Sequence, residues 1–398
     1  MRLPTLLLSA TLVTALTACG GGGGSAKSPT TTSSEVVVSG SSVASNSKLH
    51  LGTEVDAAAK NLMLSAGASA LTIAIAKNGQ IIYEQAYGYQ DINQTIALKT
   101  DVLMRTASIV KPVTAAAIRK LDADGVLSLS DHVFCTGSNA PCWLPANLLS
   151  PSSDSRAKDI TIYELIAHQG GWYRDVSNDP LMQEAEIRDA LGLTTAPTRE
   201  DITRYVMKRP LDFTPGSPDY AHDNYSNFGY MLLKMIVEQA SHKDYISYVQ
   251  TEIMAQIGVS ASDFKAGQSR LADRDPREPV YISSEMCPSV FTVGKYALCS
   301  EEGTNLANGS GAISTARAMA LFAQHYRLPA NYQASYGVIG ETMKSFVGYE
   351  GSHGGALFGL SSMVRQLPSG VSYAIFMNAS ANLEPYLPDA DRISQLDP

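Results

Sequence analysis

Apolar and polar positions change their period along this chain, and those changes divide it. From Leu71 to Lys77 and from Gln80 to Tyr87, apolar residues alternate with polar ones or run unbroken on either side of Asn78-Gly79. That dipeptide is preferred where both central residues of a turn need positive φ, so a β-hairpin is predicted. Ahead of it, Thr53 to Ala66 carries apolar residues at helical spacing and stops at Gly67. Behind it, the Ala-rich pattern SIVKPVTAAAIRKLDADG opens at Ser108 and stops at Gly125. Helical patterns then dominate. Thr161 with Glu164 makes a capping box before Leu165 to His168, and helices are expected over Arg199 to Lys208, Ser226 to Ala240, Lys243 to Gln256 and Thr315 to Tyr326. Strand patterns return in Leu357 to Gln366 and Val371 to Asn378, flanking Pro368-Ser369-Gly370. Strands at both ends with helices between predict an α/β (α+β) architecture: an antiparallel sheet built from both chain ends, flanked by helices, with a mostly helical domain inserted.

The N-terminus follows other rules. Arg2 precedes an apolar run from Leu3 to Leu16 that is too short to span a bilayer and reads as an export signal. It ends Leu16-Thr17-Ala18-Cys19, which resembles the bacterial lipoprotein box. The resemblance implies a signal peptide over 1–18, lipidation of Cys19 and a membrane anchor, with the domain facing the periplasm. Ordinary secretory cleavage is the alternative. Residues 19–50 are rich in Gly, Ser and Thr and are expected to form a tether with a reach of roughly 30 Å. The folded domain then covers 51–380 and a tail 381–398.

Composition narrows the function. A chain of 398 residues has material for a large core, and its net charge of -8 argues against a nucleic-acid partner. With Cys19 assigned to lipid, Cys135, Cys142, Cys287 and Cys299 remain. Four cysteines allow three pairings. Proximity favours Cys135 with Cys142 and Cys287 with Cys299 in an oxidising compartment, unpaired thiols being the alternative. No clustered ligand set calls for a metal or cofactor.

The candidate chemistry starts at Ser108. Lys111 lies three residues on, which puts a hydroxyl and an amine on one helix face, and a serine needs such a base to become a nucleophile. Pro112 is tolerated only in a first helical turn, so Ser108 is expected at the positive end of the helix dipole. Ser45/Lys48, Ser155/Lys158 and Ser262/Lys265 share the spacing. They lie in polar stretches, whereas Ser108 opens a long helix with an apolar face. Tyr225-Ser226-Asn227 supplies a phenol able to pass a proton and an amide able to hold substrate or Lys111. In His353-Gly354-Gly355-Ala356, glycines let backbone approach a ligand closely, and the histidine can meet a carboxylate or share a proton.

Together these clusters resemble the class C β-lactamase and penicillin-binding-protein superfamily, whose signatures are S-x-x-K, Y-x-N and a K/H-x-G triplet in that order. The likeness runs from about Val55 to Asn378. It includes Leu165 to Gly171, similar to the family's L-L-x-H-x-S/T-G segment, and Gly311 to Phe322, where Ala318 replaces a common acid. The resemblance implies that Ser108 is the acylated nucleophile, with Lys111 its proton acceptor or electrostatic partner. It implies Tyr225 as general base and acid, Asn227 as substrate orienter, and the N–H groups of Ser108 and Ala356 as the oxyanion hole. His353 would face the substrate, and His168 reads as structural.

The expected activity is acylation of Ser108 by an ester or amide, then release of the acyl group. The histidine triplet resembles that of DD-peptidases, D-amino-acid peptidases and related esterases more than the Lys-Thr-Gly of β-lactamases. A small-molecule or peptide acyl substrate is therefore expected. The alternatives are β-lactam hydrolysis and a non-catalytic lipoprotein that binds penicillin or peptidoglycan.

Overall fold

Asn78 and Gly79 adopt φ of 53° and 73°, so the expected turn closes Ala70–Lys77 against Gln80–Gly88 in the expected hairpin. The computed structural model describes residues 38–39, 49–137, 140–309, 311–330, 336–345 and 347–383. The expected signal peptide, Cys19, most of the tether and the tail from 384 onward lie outside the described residues. Within the span expected as tether, Val38–Ser39 pairs with Ala86 and Tyr87, and a helix begins at Leu49.

The hairpin joins a six-stranded sheet in the order Val38–Ser39, Gln80–Gly88, Ala70–Lys77, Val371–Met377, Leu360–Gln366, Gly351–Leu357. Every neighbouring pair is antiparallel, and the two chain ends meet where Ala70–Lys77 pairs with Val371–Met377. Ala70–Lys77 is covered on both faces, which is why its apolar run is nearly unbroken. Leu71, Ile73 and Ile75 pack with Val55, Leu62 and Met63 of the Leu49–Ala66 helix. Ala70, Ala74 and Ala76 face the other way, into the cluster that holds Ala316, Met319 and Ala320 of the helix Ala316–Phe322. Small side chains on that face let helix and sheet approach closely. Each buried Leu or Ile contributes roughly 1.5–3 kcal/mol by leaving water.

Between the sheet's two halves lies the mostly helical region. Cys135–Cys142 and Cys287–Cys299 are disulfide-bonded within it. A small sheet of Met104–Arg105, Ala312–Ser314 and Phe264–Ala266 fastens the approach to Ser108. Arg105 is buried there and donates to the carbonyls of Ser300 and Ser269. At Ala318, which replaces the common acid, the side chain is fully buried and the N–H bonds the Thr315 side chain, so the helix keeps its cap without an acid.

One strand was missed. Leu357 to Gln366 does not form a single strand: Gly351–Leu357 and Leu360–Gln366 are two, turning at Gly359 with φ 72°. The first contains Gly351, Gly354 and Gly355, which carry little strand propensity. Pairing with Leu360–Gln366 over its whole length decides it.

Candidate active site

Ala107, next to the serine, has φ 48°, a left-handed conformation that costs a non-glycine residue energy. It is held by its surroundings: Thr106 N donates to the carbonyl of Ala312, and the carbonyl of Thr106 accepts from Ser362 Oγ. From this corner the chain makes the 3₁₀ turn Ala107–Ile109 and then the α-helix Val110–Ala123. Ser108 thus sits in the turn that feeds the helix rather than in its first α-turn. Pro112 falls in that first turn, as its missing N–H requires.

Lys111 Nζ lies 3.2 Å from Ser108 Oγ and donates to Asn227 Oδ1 at 2.5 Å. Asn227 Nδ2 donates in turn to Asp179 Oδ2 at 2.5 Å. The partners settle the amide's orientation, since an ammonium can only donate and a carboxylate only accept. Lys111 is 3% exposed. Burial pulls its ammonium down to about 7, with Arg174 and Lys234 pushing the same way and Asp179 opposing. Asp179 is itself raised by burial, against the pull of its N–H donors and Lys111. At neutral pH a substantial share of Lys111 is therefore free amine, able to take the Ser108 proton while still donating to Asn227.

Tyr225 and Asn227 come together with this pair. Ser226 caps the helix Asn227–Ser241 by accepting from Gly229 N, which aims Asn227 from the helix start. The Tyr225 ring lies 4.6 Å from Lys111 Nζ and 5.0 Å from the Arg174 guanidinium. His168 has the structural place expected of it. Its Nδ1 accepts from Ser226 N at 3.0 Å, its carbonyl accepts from Asn224, and its ring packs on Tyr225, Tyr230 and Tyr336.

Across the cleft runs the edge strand Gly351–Leu357. A Cβ on Gly355 would collide first with Ser362 Oγ of the paired strand, and would come within 2.8 Å of the Thr106 carbonyl and 3.0 Å of Ser108 N. Only glycine lets the strand lie this close to the serine. Gly354 has open space around its Cβ position, so close approach is required at one glycine of the pair. Ala356 follows beside Ser108, and both line the cleft. His353 was expected to face the substrate, meeting a carboxylate or sharing a proton. It is buried, and burial together with Lys111 pulls it down to about 3, so it is neutral near pH 7. Its Nδ1 carries the proton bonded to the carbonyl of Gly354, leaving Nε2 to accept from Tyr336 at 3.4 Å.

The open cleft, about 510 Å³, is lined by Ser108, Tyr225, Asn227, His353, Gly354 and Ala356 together with Arg174 and Asp179. These last two, with Tyr336, went unnoticed in the sequence. Asp179 had one signal, an Asp-Pro pair of helix-cap type: its Oδ1 accepts from Leu181 N. Arg174 and Tyr336 had none.

The sequence model of the Beta-lactamase family matches residues 55–377. Among curated proteins, the chain is 28% identical over 198 residues to penicillin-binding protein 4* of Bacillus subtilis, covering 48% of this chain and 36% of that protein. It is 25% identical over 199 residues to protein flp of Staphylococcus aureus, covering 50% and 35%. The matched part thus spans about a third of those relatives. Among solved structures, a beta-lactamase/D-alanine carboxypeptidase from Yersinia pestis superposes with TM-score 0.56 at 19% identity, covering 88% of this chain and 98% of that one. A D-amino acid amidase from Ochrobactrum anthropi does so with TM-score 0.56 at 19%, covering 86% and 96%. These structures share the fold.

Proposed function

This chain belongs to the beta-lactamase family of serine hydrolases, and from that premise we propose that it is an exported enzyme that cleaves amide or ester bonds through an acyl-enzyme on Ser108. The activity is of the DD-peptidase, D-amino-acid peptidase or carboxylesterase type, and the protein is anchored through lipidated Cys19. Lys111 takes the Ser108 hydroxyl proton as Oγ attacks the substrate carbonyl. The N–H groups of Ser108 and Ala356 receive the oxyanion, and Tyr225 carries a proton to the leaving group. Water then attacks the acyl-enzyme and frees Ser108. The observation that carries this reading is the Lys111 amine, buried, 3.2 Å from Ser108 Oγ and lowered to about 7.

β-Lactam hydrolysis is a second reading, supported by Arg174, which lines the cleft and, while ion-paired with Asp223, brings there the permanent charge that neutral His353 lacks. Intact-mass spectrometry of the domain from Leu51 onward, with and without benzylpenicillin, separates the two. A lasting adduct on the wild type and none on Ser108→Ala is expected of a peptidase-like site. Drug consumed without an adduct favours the lactamase. Ester turnover by Ser108→Ala equal to wild type would sink the assignment of the nucleophile.

A further inference from the structure

Behind Lys111 the cleft continues into a narrower pocket of about 50 Å³, sharing Ser108, Asn227 and Ala356 with the open cleft. Its far wall carries a second lysine, Lys234, which the mechanism above does not use. Lys234 stands seven residues after Asn227 on the helix Asn227–Ser241, so the two share a face about 10 Å apart along the axis. Helical side chains lean toward the N-terminus, so Lys234 leans back toward Asn227 and the reacting serine.

Among the described residues, the surroundings of Lys234 leave much of its bonding capacity unused. It is 5% exposed. Among the described residues its Nζ makes one hydrogen bond, to the carbonyl of Gly309 at 2.6 Å, and lies 4.8 Å from the centre of the Tyr245 ring. An ammonium has three donors, and no described carboxylate lies within ion-pair distance of it. Leu181, Met231, Leu306 and Leu357 line this pocket together with the polar Thr114, Thr304 and Asn305. A buried cation with so few partners is costly in an apolar setting unless something compensates it. A ligand that reaches in from the serine and pairs with this amine is anionic at its tip, and Leu181, Met231, Leu306 and Leu357 offer its stem apolar contact.

We propose that this pocket receives the acyl part of the substrate and that Lys234 selects acyl chains ending in a carboxylate. The proposal rests on Ser108 being the acylated residue. Ser108 Oγ bonds to the acyl carbonyl carbon as the alcohol or amine departs with a proton, and the distal carboxylate meets the Lys234 ammonium. Hydrolysis then releases a dicarboxylic acid.

Calorimetric binding of adipate and hexanoate, acids of equal length that differ only in the distal carboxylate, tests the pocket without needing turnover. Adipate is expected to bind Ser108→Ala at least about tenfold more tightly than hexanoate, and Lys234→Met in that background is expected to remove the difference. Equal binding of the two acids before the lysine is changed overturns the proposal. So does a preference that survives Lys234→Met. If that variant does not fold, Lys234→Gln serves in its place. A Lys234 that only clamps the Gly309 loop would cost thermal stability when replaced, with the two acids bound alike throughout. In the otherwise unaltered protein, kcat/KM for the mono-4-nitrophenyl ester of adipic acid should exceed that for 4-nitrophenyl hexanoate. Cleavage of both esters with no such preference would leave the hydrolase standing and reject selection by Lys234. Cleavage of neither, with adipate still preferred in binding, would reject the hydrolase and leave an anion-selective pocket.

Discussion

Two lysines are buried in this pocket, and burial brings both down to about 7, yet their neighbours assign them different work. Lys111 has a hydroxyl at 3.2 Å, and its N–H toward Asn227 is held by an amide that Asp179 keeps from turning. Lys234 has no such hydroxyl among its described partners, only a carbonyl and the face of a ring. A lowered pKa therefore does not make a lysine a base. A base also needs an acidic proton within reach and a partner that fixes where its lone pair points.

The largest effect should come from removing the amine that has both. Lys111→Met is expected to lower kcat/KM for an ester by about 10³-fold. In the proposed mechanism free amine is the active form and Lys111 lies near 7, so the wild-type rate should rise with pH through that region and then level. A Lys111→Met profile that keeps this acid limb would reassign the base. Next is the opposite wall: Gly355→Ala puts a methyl against the Thr106 carbonyl and Ser108 N. Pushing the strand off the oxyanion site should lower kcat about 10²-fold with little change in KM. Wild-type kcat would show that the edge strand contributes no donor.

Asp179→Asn is a gentler test, because Asp179 acts through Asn227 and through its charge. Its carboxylate raises Lys111, so the acid limb should move to lower pH while the plateau falls about tenfold as Asn227 loses its orientation. Asp179→Glu should restore part of the plateau. An unmoved limb would make Asp179 purely structural. The smallest effect is on stability. Both lysines sit below their ordinary value in the folded state, so between about pH 7 and 10 the unfolded chain binds more protons, and their contribution makes stability rise with pH there. Replacing Lys234 by Met should flatten this rise. Thermal midpoints at pH 7 and 9 would show it as a difference of a few degrees, on the order of 1.5 °C per kcal/mol for a domain this large.

Much of this was legible in the chain. Asn78-Gly79 set its hairpin because a type I′ turn needs only two residues with positive φ. The Ser108–Lys111 spacing, the Tyr225–Asn227 triplet and the Gly354-Gly355 pair are local patterns, and local geometry carries them into the cleft. The short disulfide loops were read the same way. What the tertiary structure decided depends on distant partners. Gly351–Leu357 is a strand because Leu360–Gln366 pairs with it, against its own propensity. His353 is a neutral imidazole because it is buried beside Lys111, not because of its neighbours in sequence. Asp179 meets Asn227 across 48 residues, and Lys234 belongs to the pocket only because its helix packs there. Sequence by itself determined which side chains could do chemistry. Folding determined their charge and their partners, because desolvation and hydrogen bonding depend on what surrounds a group.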